Sequence, residues 1–298
     1  MNNALPNFLI AGAAKCGTTT FHALLQHHPD VFLCEPKEPH HFTAPEWDTA
    51  GSGPGDAYVR SRVVGSRDRY LSLFGPGAAR AVRGEASTDT FHHAARAIPR
   101  IRELLGDPAI LLILRNPAER AFSAYMHLRR EGRETLPFAE ALAREPERIR
   151  DGWEFSWHYR DGGFYHERTR LFLDSFSRVK ILLFEEAMAD PAAAAREILS
   201  FLQLDARAAL PRAVRLNPSG EPQWPWLRDW LVKPGPVRDR VRDLLPPAWR
   251  RRIRSELLRL TSRRTTLDPD IRRELLRGYA DDMARLSDLL GRKLPWNP

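Results

Sequence analysis

A short apolar run, Phe8 to Ala11, passes straight into Gly12-Ala13-Ala14-Lys15-Cys16-Gly17-Thr18-Thr19-Thr20 and then into a stretch with helical periodicity. Few features restrict a fold as strongly. A strand that ends in a glycine loop and restarts as a helix turns several backbone N–H groups toward one point. The N-terminus of the helix adds its partial positive charge, so the three pieces together form an anion site. The interval from Gly12 to Gly17 equals that of a Walker loop, but the lysine is displaced. A nucleotide-hydrolysing loop carries it directly after the second glycine. Here Thr18 stands in that place, and Lys15 lies inside the loop. On these residues alone, an ordinary strand–helix turn with a surface lysine remains the alternative.

The other apolar runs are Val31 to Leu33, Ile110 to Leu114 and Val179 to Phe184, with a further strand expected ahead of Arg83. Between them lie the helix-period stretches Thr18 to His27, Ala118 to Arg130 and Tyr165 to Phe176. Short buried strands alternating with helices predict an α/β fold, a central parallel sheet flanked by helices in three layers. Ala44 to Ser66, with Pro45, Gly51, Gly53, Pro54, Gly55 and Gly65, reads as a long loop. After Leu216 the chain is helical with proline breaks. Its final helix starts at Asp268, an N-cap, followed by Pro269, and shows Leu275, Tyr279, Met283, Leu286 and Leu290 on one face. Residues 1–298 are therefore expected to form one domain, an α/β core over 1–216 and a helical C-terminal cover over 217–298.

Composition narrows the class. At 298 residues, 43% hydrophobic and 28% charged, the chain has a globular composition and the length for a large core. Cys16 and Cys34 are its two cysteines, too few for a disulfide framework or a CxxC metal pattern, so no metal is expected. Reduced thiols suit the cytoplasm. No run of about 18 apolar residues predicts a transmembrane span, and Phe8 to Ala14 lacks the basic leader of a secretory signal. Of the net charge of +8, a surplus of seven lies between Pro236 and Thr266, where ten arginines face three acids. That argues against a uniformly basic nucleic-acid surface. Within this segment, Ala248 to Leu260 sets Trp249, Ile253, Leu257 and Leu260 on one helical face. The helix either docks with its arginines in water or contacts an anionic acceptor or an anionic membrane surface.

A second motif lies in ILLILRNPAERAFSAYMH, residues 110 to 127. The buried strand delivers Arg115 at its carboxyl end, where open α/β sheets bind ligands. Pro117 then opens a helix carrying Ser123, and a guanidinium fork and a hydroxyl can converge on one phosphate. Together, AGAAKCGTTTFHALLQHHPDV and this motif resemble the 5′-phosphosulfate loop and the 3′-phosphate motif of sulfotransferases that use 3′-phosphoadenosine-5′-phosphosulfate (PAPS). The resemblance is closer to the heparan-sulfate and bacterial glycan type than to the small-phenol type. GGFYHERTRLFLDSFSRVKILLFEEAMADPAAAAREILSFLQL, RLNPSG and LLGRKLPW extend it over nearly the whole chain. It implies a P-loop-like fold and transfer of a sulfuryl group from PAPS to a hydroxyl or amine of a glycan, glycolipid or natural product, an activity of EC class 2.8.2. By this resemblance Lys15 contacts the bridging oxygen of the donor, Cys16, Gly17, Thr18, Thr19 and Thr20 hold the 5′-phosphate, and Arg115 and Ser123 hold the 3′-phosphate. An ATP-using P-loop kinase or NTPase is the alternative, disfavoured by the lysine order.

EPKEPHHF follows the second strand and holds Glu35, Lys37, Glu38, His40 and His41. The resemblance implies that Glu38 is the acceptor's general base, with Lys37 beside it. His127, one turn beyond Ser123, competes for that role. His40 and His41 read as cap or packing residues. Glu85 and Ser87 match a family segment whose lysine is replaced here by Ala86, and no cysteine follows Cys34 to close the loop that the heparan-type enzymes close with a disulfide. Residues 217–220, NPSG, are expected to replace that loop.

Overall fold

The computed structural model describes residues 5–49, 51–207, 221–222, 262–263 and 265–296. Five parallel strands form the sheet: β1 (Phe8–Gly12), β2 (Val31–Leu33), β3 (Val82–Glu85), β4 (Ala109–Leu114) and β5 (Val179–Leu183), in the order β2-β3-β1-β4-β5. β1 is central. Phe8 pairs with Gly84 on one side and with Ala109 on the other. β1 and β4 are buried along their whole length, as parallel strands covered on both faces must be, which is why they read as unbroken apolar runs rather than alternating ones. Helices flank the sheet. Thr18–Leu25 packs with Pro191–Phe201, and Ala94–Leu105 packs with His166–Ser175, which also meets Ala280–Leu290. The strand order sends the chain from β1 to the far edge and back, so the carboxyl end of β1 lies between two strands reached by opposite crossovers. That switch point is where ligands bind in such sheets.

A second apolar cluster lies beside this core. It joins Ala121, Tyr125 and Leu128 of the helix Pro117–Glu131 to Phe138, Trp157, Tyr159, Leu275 and Tyr279. The C-terminal residues are tied down by specific bonds. Asp282 accepts from the backbone N of Tyr165 at 2.8 Å, and Trp296 Nε1 donates to Glu185 Oε2 at 2.9 Å.

Three expectations change. Ala44 to Ser66 holds two short helices, Ala44–Thr49 and Asp56–Arg60, rather than one long loop. The reason is Asp56, fully buried, which accepts from Gly53 N at 2.9 Å, Glu154 N at 3.0 Å and Trp157 Nε1 at 2.9 Å and pairs with Arg133. The final helix is two, Pro269–Gly278 and Ala280–Leu290, broken at Tyr279, whose buried hydroxyl donates to the carbonyl of Arg160 at 2.7 Å. Its start is as expected: Asp268 accepts from Asp270 N at 2.8 Å and Ile271 N at 3.2 Å. Glu85 closes β3 itself instead of following a strand. Most of the basic segment 236–266, apart from the two-residue strand Ser262–Arg263 and residues 265–266, and residues 217–220 lie outside the described residues. Among the described residues no helix is long and apolar enough to cross a membrane.

Candidate active site

β1 bulges as it leaves the sheet, with a register shift between Ile10 and Gly12, and Ala13 N donates to Ile113 O at 2.9 Å. The loop that follows needs backbone shapes that side chains resist. Gly12 faces Phe91 so closely that a Cβ there would come within 2.3 Å of the Phe91 Cβ. Gly17 takes φ +85°, and an added Cβ would lie 3.0 Å from the Phe184 ring. Lys15 itself adopts φ 67°, an uncommon state for a residue with a side chain, and such positions gather at ligand sites.

Gly17 caps the helix Thr18–Leu25 without a side-chain bond. Thr20 N and Phe21 N return to Gly17 O, and Cys16 N returns to Ala13 O. Among the described residues, the N–H groups of Lys15, Gly17, Thr18 and Thr19 have no protein acceptor. Unpaired donors at a helix N-terminus fit an anion. Cys16 fits the expected role less well. Its N–H is used, its side chain is fully buried with Sγ 3.6 Å from Ala14 O, and burial pushes the thiol up to about 11. Thr20 likewise spends its N–H on the loop. Lys15 is half-buried and makes no ion pair within 4 Å among the described residues. Burial first, then Arg130, lower its ammonium to about 8, against the pull of Glu38 and Glu131.

Arg115 leaves β4 at its carboxyl end. Its Nη1 donates to the Lys15 carbonyl at 3.3 Å, and its guanidinium lies 4.5 Å over the Phe184 ring. No carboxylate lies within ion-pairing distance of it among the described residues. Asn116 caps the next helix, accepting from Ala118 N and Glu119 N, and its own N–H donates to Glu185 Oε1 at 2.9 Å. This fixes the angle at which the helix Pro117–Glu131 presents half-buried Ser123 and His127.

Glu38 (φ 61°) sits beside Lys37, with which it pairs, and its Oε2 accepts from Thr88 Oγ1 at 3.5 Å. Burial pushes its carboxyl up, but Lys37 and then His40 outweigh burial and hold it below its ordinary value. Behind it lies a buried network. His40 Nδ1 is 2.8 Å from Asp89 Oδ2, which also accepts from Thr43 Oγ1 and, at 3.0 Å, from Trp47 Nε1. Burial alone would lower His40, yet Asp89 raises it to about 9; the same pairing overcomes burial to hold Asp89 well below its ordinary range. His40 N donates to Ser87 Oγ at 3.1 Å, and Ser87 Oγ donates to Glu85. Burial raises Glu85 to about 7, helped by Asp89 and Glu38. His41 is a packing residue, stacked on Tyr70 at 4.1 Å.

His127 Nδ1 lies 3.2 Å from Arg130 Nη2, and its Nε2 lies 3.4 Å from Glu131 Oε1. Burial, then Lys15, Arg130 and Arg133, hold its imidazole well below its ordinary value. Lys15, Glu38 and His127 thus share one electrostatic neighbourhood, with Arg130 and Glu131, which the motifs did not single out. Neither Asp89 nor Phe184 was assigned a role from sequence; a strand-end aromatic next to the glutamates of FEEAMA was the available signal for Phe184.

A parallel sheet of this order, a glycine loop with unpaired N–H groups and its lysine inside the loop, and an arginine at the carboxyl end of β4 describe a phosphate-binding site on a P-loop-like fold. Residues 6–208 match the sulfotransferase family, and the chain belongs to it. It is similar to a sulfotransferase from Alicyclobacillus acidocaldarius whose crystal structure matches at a TM-score of 0.78 and 33% identity over 98% of both chains. It is also similar to the bifunctional heparan sulfate N-deacetylase/N-sulfotransferase 2 of Homo sapiens and of Bos taurus. Each is 32% identical over 140 residues, 43% of this chain and 13% of theirs. Membership of the sulfotransferase family implies PAPS as the sulfuryl donor, and the kinase alternative is set aside.

Proposed function

We propose that the chain transfers a sulfuryl group from PAPS to a hydroxyl or amine of a glycan, glycolipid or natural product, with Glu38 as the base. The observation that carries this is the bond from Arg115 Nη1 to the Lys15 carbonyl, 3.3 Å, which brings the two phosphate motifs together across 100 residues of sequence. When bound, PAPS supplies the sulfuryl group. The free N–H groups of Gly17, Thr18 and Thr19 hold its 5′-phosphate, and Arg115 and Ser123 its 3′-phosphate. Lys15 keeps positive charge at the loop, where a preorganised donor counts most. Glu38, kept ionised by Lys37, takes the acceptor's proton late in transfer. Two buried free thiols suit a reducing compartment, and we place the protein in the cytoplasm.

The donor reading is tested by thermal unfolding. The bisphosphate PAP raises the melting point without magnesium, and ATP with magnesium does so less. The reverse order refutes it. A screen with isotopically marked PAPS identifies the acceptor. Glu38→Gln then lowers turnover sharply with PAP affinity intact, while His127→Ala has the milder effect. Normal turnover in Glu38→Gln alone moves the base to His127; normal turnover in both moves it to His40, His41 or Glu85.

A further inference from the structure

Away from the phosphate loop, three side chains that sulfuryl transfer does not use converge. His92 ends the helix Asp89–His92, and His158 and Asp161 flank the turn after Phe155–Trp157. His158 Nδ1 lies 3.0 Å from His92 Nε2, and Asp161 Oδ2 lies 3.6 Å from the same nitrogen. The three possible ligand atoms all fall within 4.8 Å of one another.

A backbone carbonyl behind His158 decides its tautomer. His158 Nε2 is 3.0 Å from the carbonyl of Trp153, which can only accept. Nε2 therefore carries the hydrogen, and Nδ1 presents a bare lone pair toward His92. Metal-binding imidazoles are held in this way, the outer N–H on a carbonyl and the inner lone pair free. The 3.6 Å separation suits a metal as it stands, and the 3.0 Å one by opening a few tenths of an ångström. Bonds of about 2.0–2.2 Å at tetrahedral angles place ligand atoms about 3.3–3.6 Å apart. The third, from Asp161 to His158, closes by rotating a carboxylate that is 40% exposed.

We propose that His92, His158 and Asp161 form a binding site for one divalent transition-metal ion, Zn²⁺ above all, that staples the Asp89–His92 turn to the 158–161 segment. Two imidazoles and one carboxylate select zinc, cobalt, nickel or copper over magnesium or calcium. Three protein ligands leave a fourth position for water, on the exposed Asp161 side. Arg168 works against the ion. Its Nη2 bonds Asp161 Oδ2 at 2.7 Å and its Nε bonds the His92 carbonyl at 3.2 Å. It orients the carboxylate from outside, and its charge keeps the affinity moderate. Occupancy bears on the transferase site through Asp89, three residues before His92 and paired with His40 beside Glu38.

The test is titration of the EDTA-treated full chain with ZnCl₂ by calorimetry, with thermal unfolding in parallel. The expected result is one zinc per chain, a raised melting point, and no shift with magnesium. His158→Gln and His92→Gln should each weaken zinc binding by about tenfold or more, whereas His27→Gln, at an exposed histidine, should not. PAP binding shows that each variant is folded. Cobalt titration of the unaltered chain gives a visible band of nitrogen- and oxygen-bound four-coordinate metal, a readout that needs no variant. Absence of stoichiometric zinc binding at about 100 μM, or binding that survives in the double histidine variant, overturns the proposal and leaves the three side chains as a hydrogen-bonded cluster.

Discussion

Asp89→Asn should cost the protein more than any change in the phosphate loop, and its cost should depend on pH. Asp89 is fully buried, and His40 beside it is 5% exposed. Their contact raises the imidazole from 6.5 to about 9. At about 1.36 kcal/mol per pKa unit, that shift corresponds to about 3 kcal/mol. Breaking one side of a buried pair independently suggests about 3–5 kcal/mol. The signs fix the window. His40 has a folded value above its unfolded one, so its share is complete below about 6.5 and is lost as pH rises through about 9. Asp89 has a depressed value, so its share is present above 3.8 and is lost as pH falls through the lower folded value. Stability from the pair is therefore greatest between these limits, near pH 5–6. Urea unfolding from pH 5 to 9, with NMR titration of His40, reads both quantities. Above pH 7 the unaltered chain should lose stability toward pH 9, and the variant should not. In Asp89→Asn the His40 value should drop to 6.5 or below. If the variant unfolds within about 1 kcal/mol of the unaltered chain at pH 6, or His40 titrates unchanged, the pair does not hold this loop and the reasoning fails.

Lys15→Ala should lose about two orders of magnitude in turnover, on the scale of removing one preorganised donor, with a smaller loss of PAP affinity. In the unaltered enzyme kcat/KM for PAPS should fall as pH rises through about 8, where free Lys15 gives up its proton; a flat profile there contradicts the assignment. Arg115→Ala should raise KM for PAPS with little change in kcat and erase the preference for PAP over 5′-AMP, measured by competition. Glu85→Gln should stabilise the protein at alkaline pH, by up to about 3 kcal/mol. The raised value of about 7 means that stability carried by the neutral carboxyl is present below 4.5 and lost as pH rises to about 7. Unfolding at pH 8 decides it, and an unchanged midpoint refutes it.

The elements that were legible in the sequence are those whose cause is local. β1 and β4 announce themselves because both faces of a parallel strand are buried. Gly12 and Gly17 mark the loop because no side chain fits beside Phe91 and Phe184. Asp268 and Pro269 spell a helix start by chemistry confined to a few residues. What stayed hidden depends on partners far away in sequence. Nothing around Asp89 shows that His40 is its partner, 49 positions earlier, and nothing in the glycines of 51–55 shows that Asp56 will be gripped by Arg133 and Trp157. The helix break at Tyr279 has the same origin, a hydroxyl that reaches back to Arg160. What Cys16 does in the motif is hidden for a related reason: its N–H closes the turn onto Ala13 and its thiol is buried in the core, neither of which its neighbours in sequence reveal.

The same logic separates the two candidate bases. Arginine donates and never accepts, so the contact from Arg130 Nη2 occupies the lone pair on His127 Nδ1. A neutral imidazole then carries its hydrogen on Nε2, the atom 3.4 Å from Glu131 Oε1. To act as a base, His127 would have to shed Arg130 and become a cation within the field of Lys15, Arg130 and Arg133, the charges that already lower it. That field acts oppositely on a carboxylate, and Lys37 and His40 keep Glu38 ionised. His127 is thereby fitted to donate to an acceptor rather than to deprotonate it. Glutamine supplies an N–H donor without a titrating group, so His127→Gln should retain most of the turnover and leave the shape of the pH–rate profile unchanged. A limb in the unaltered enzyme between pH 5 and 7 that disappears in His127→Gln would return the proton to histidine, because no other change in that variant could remove it.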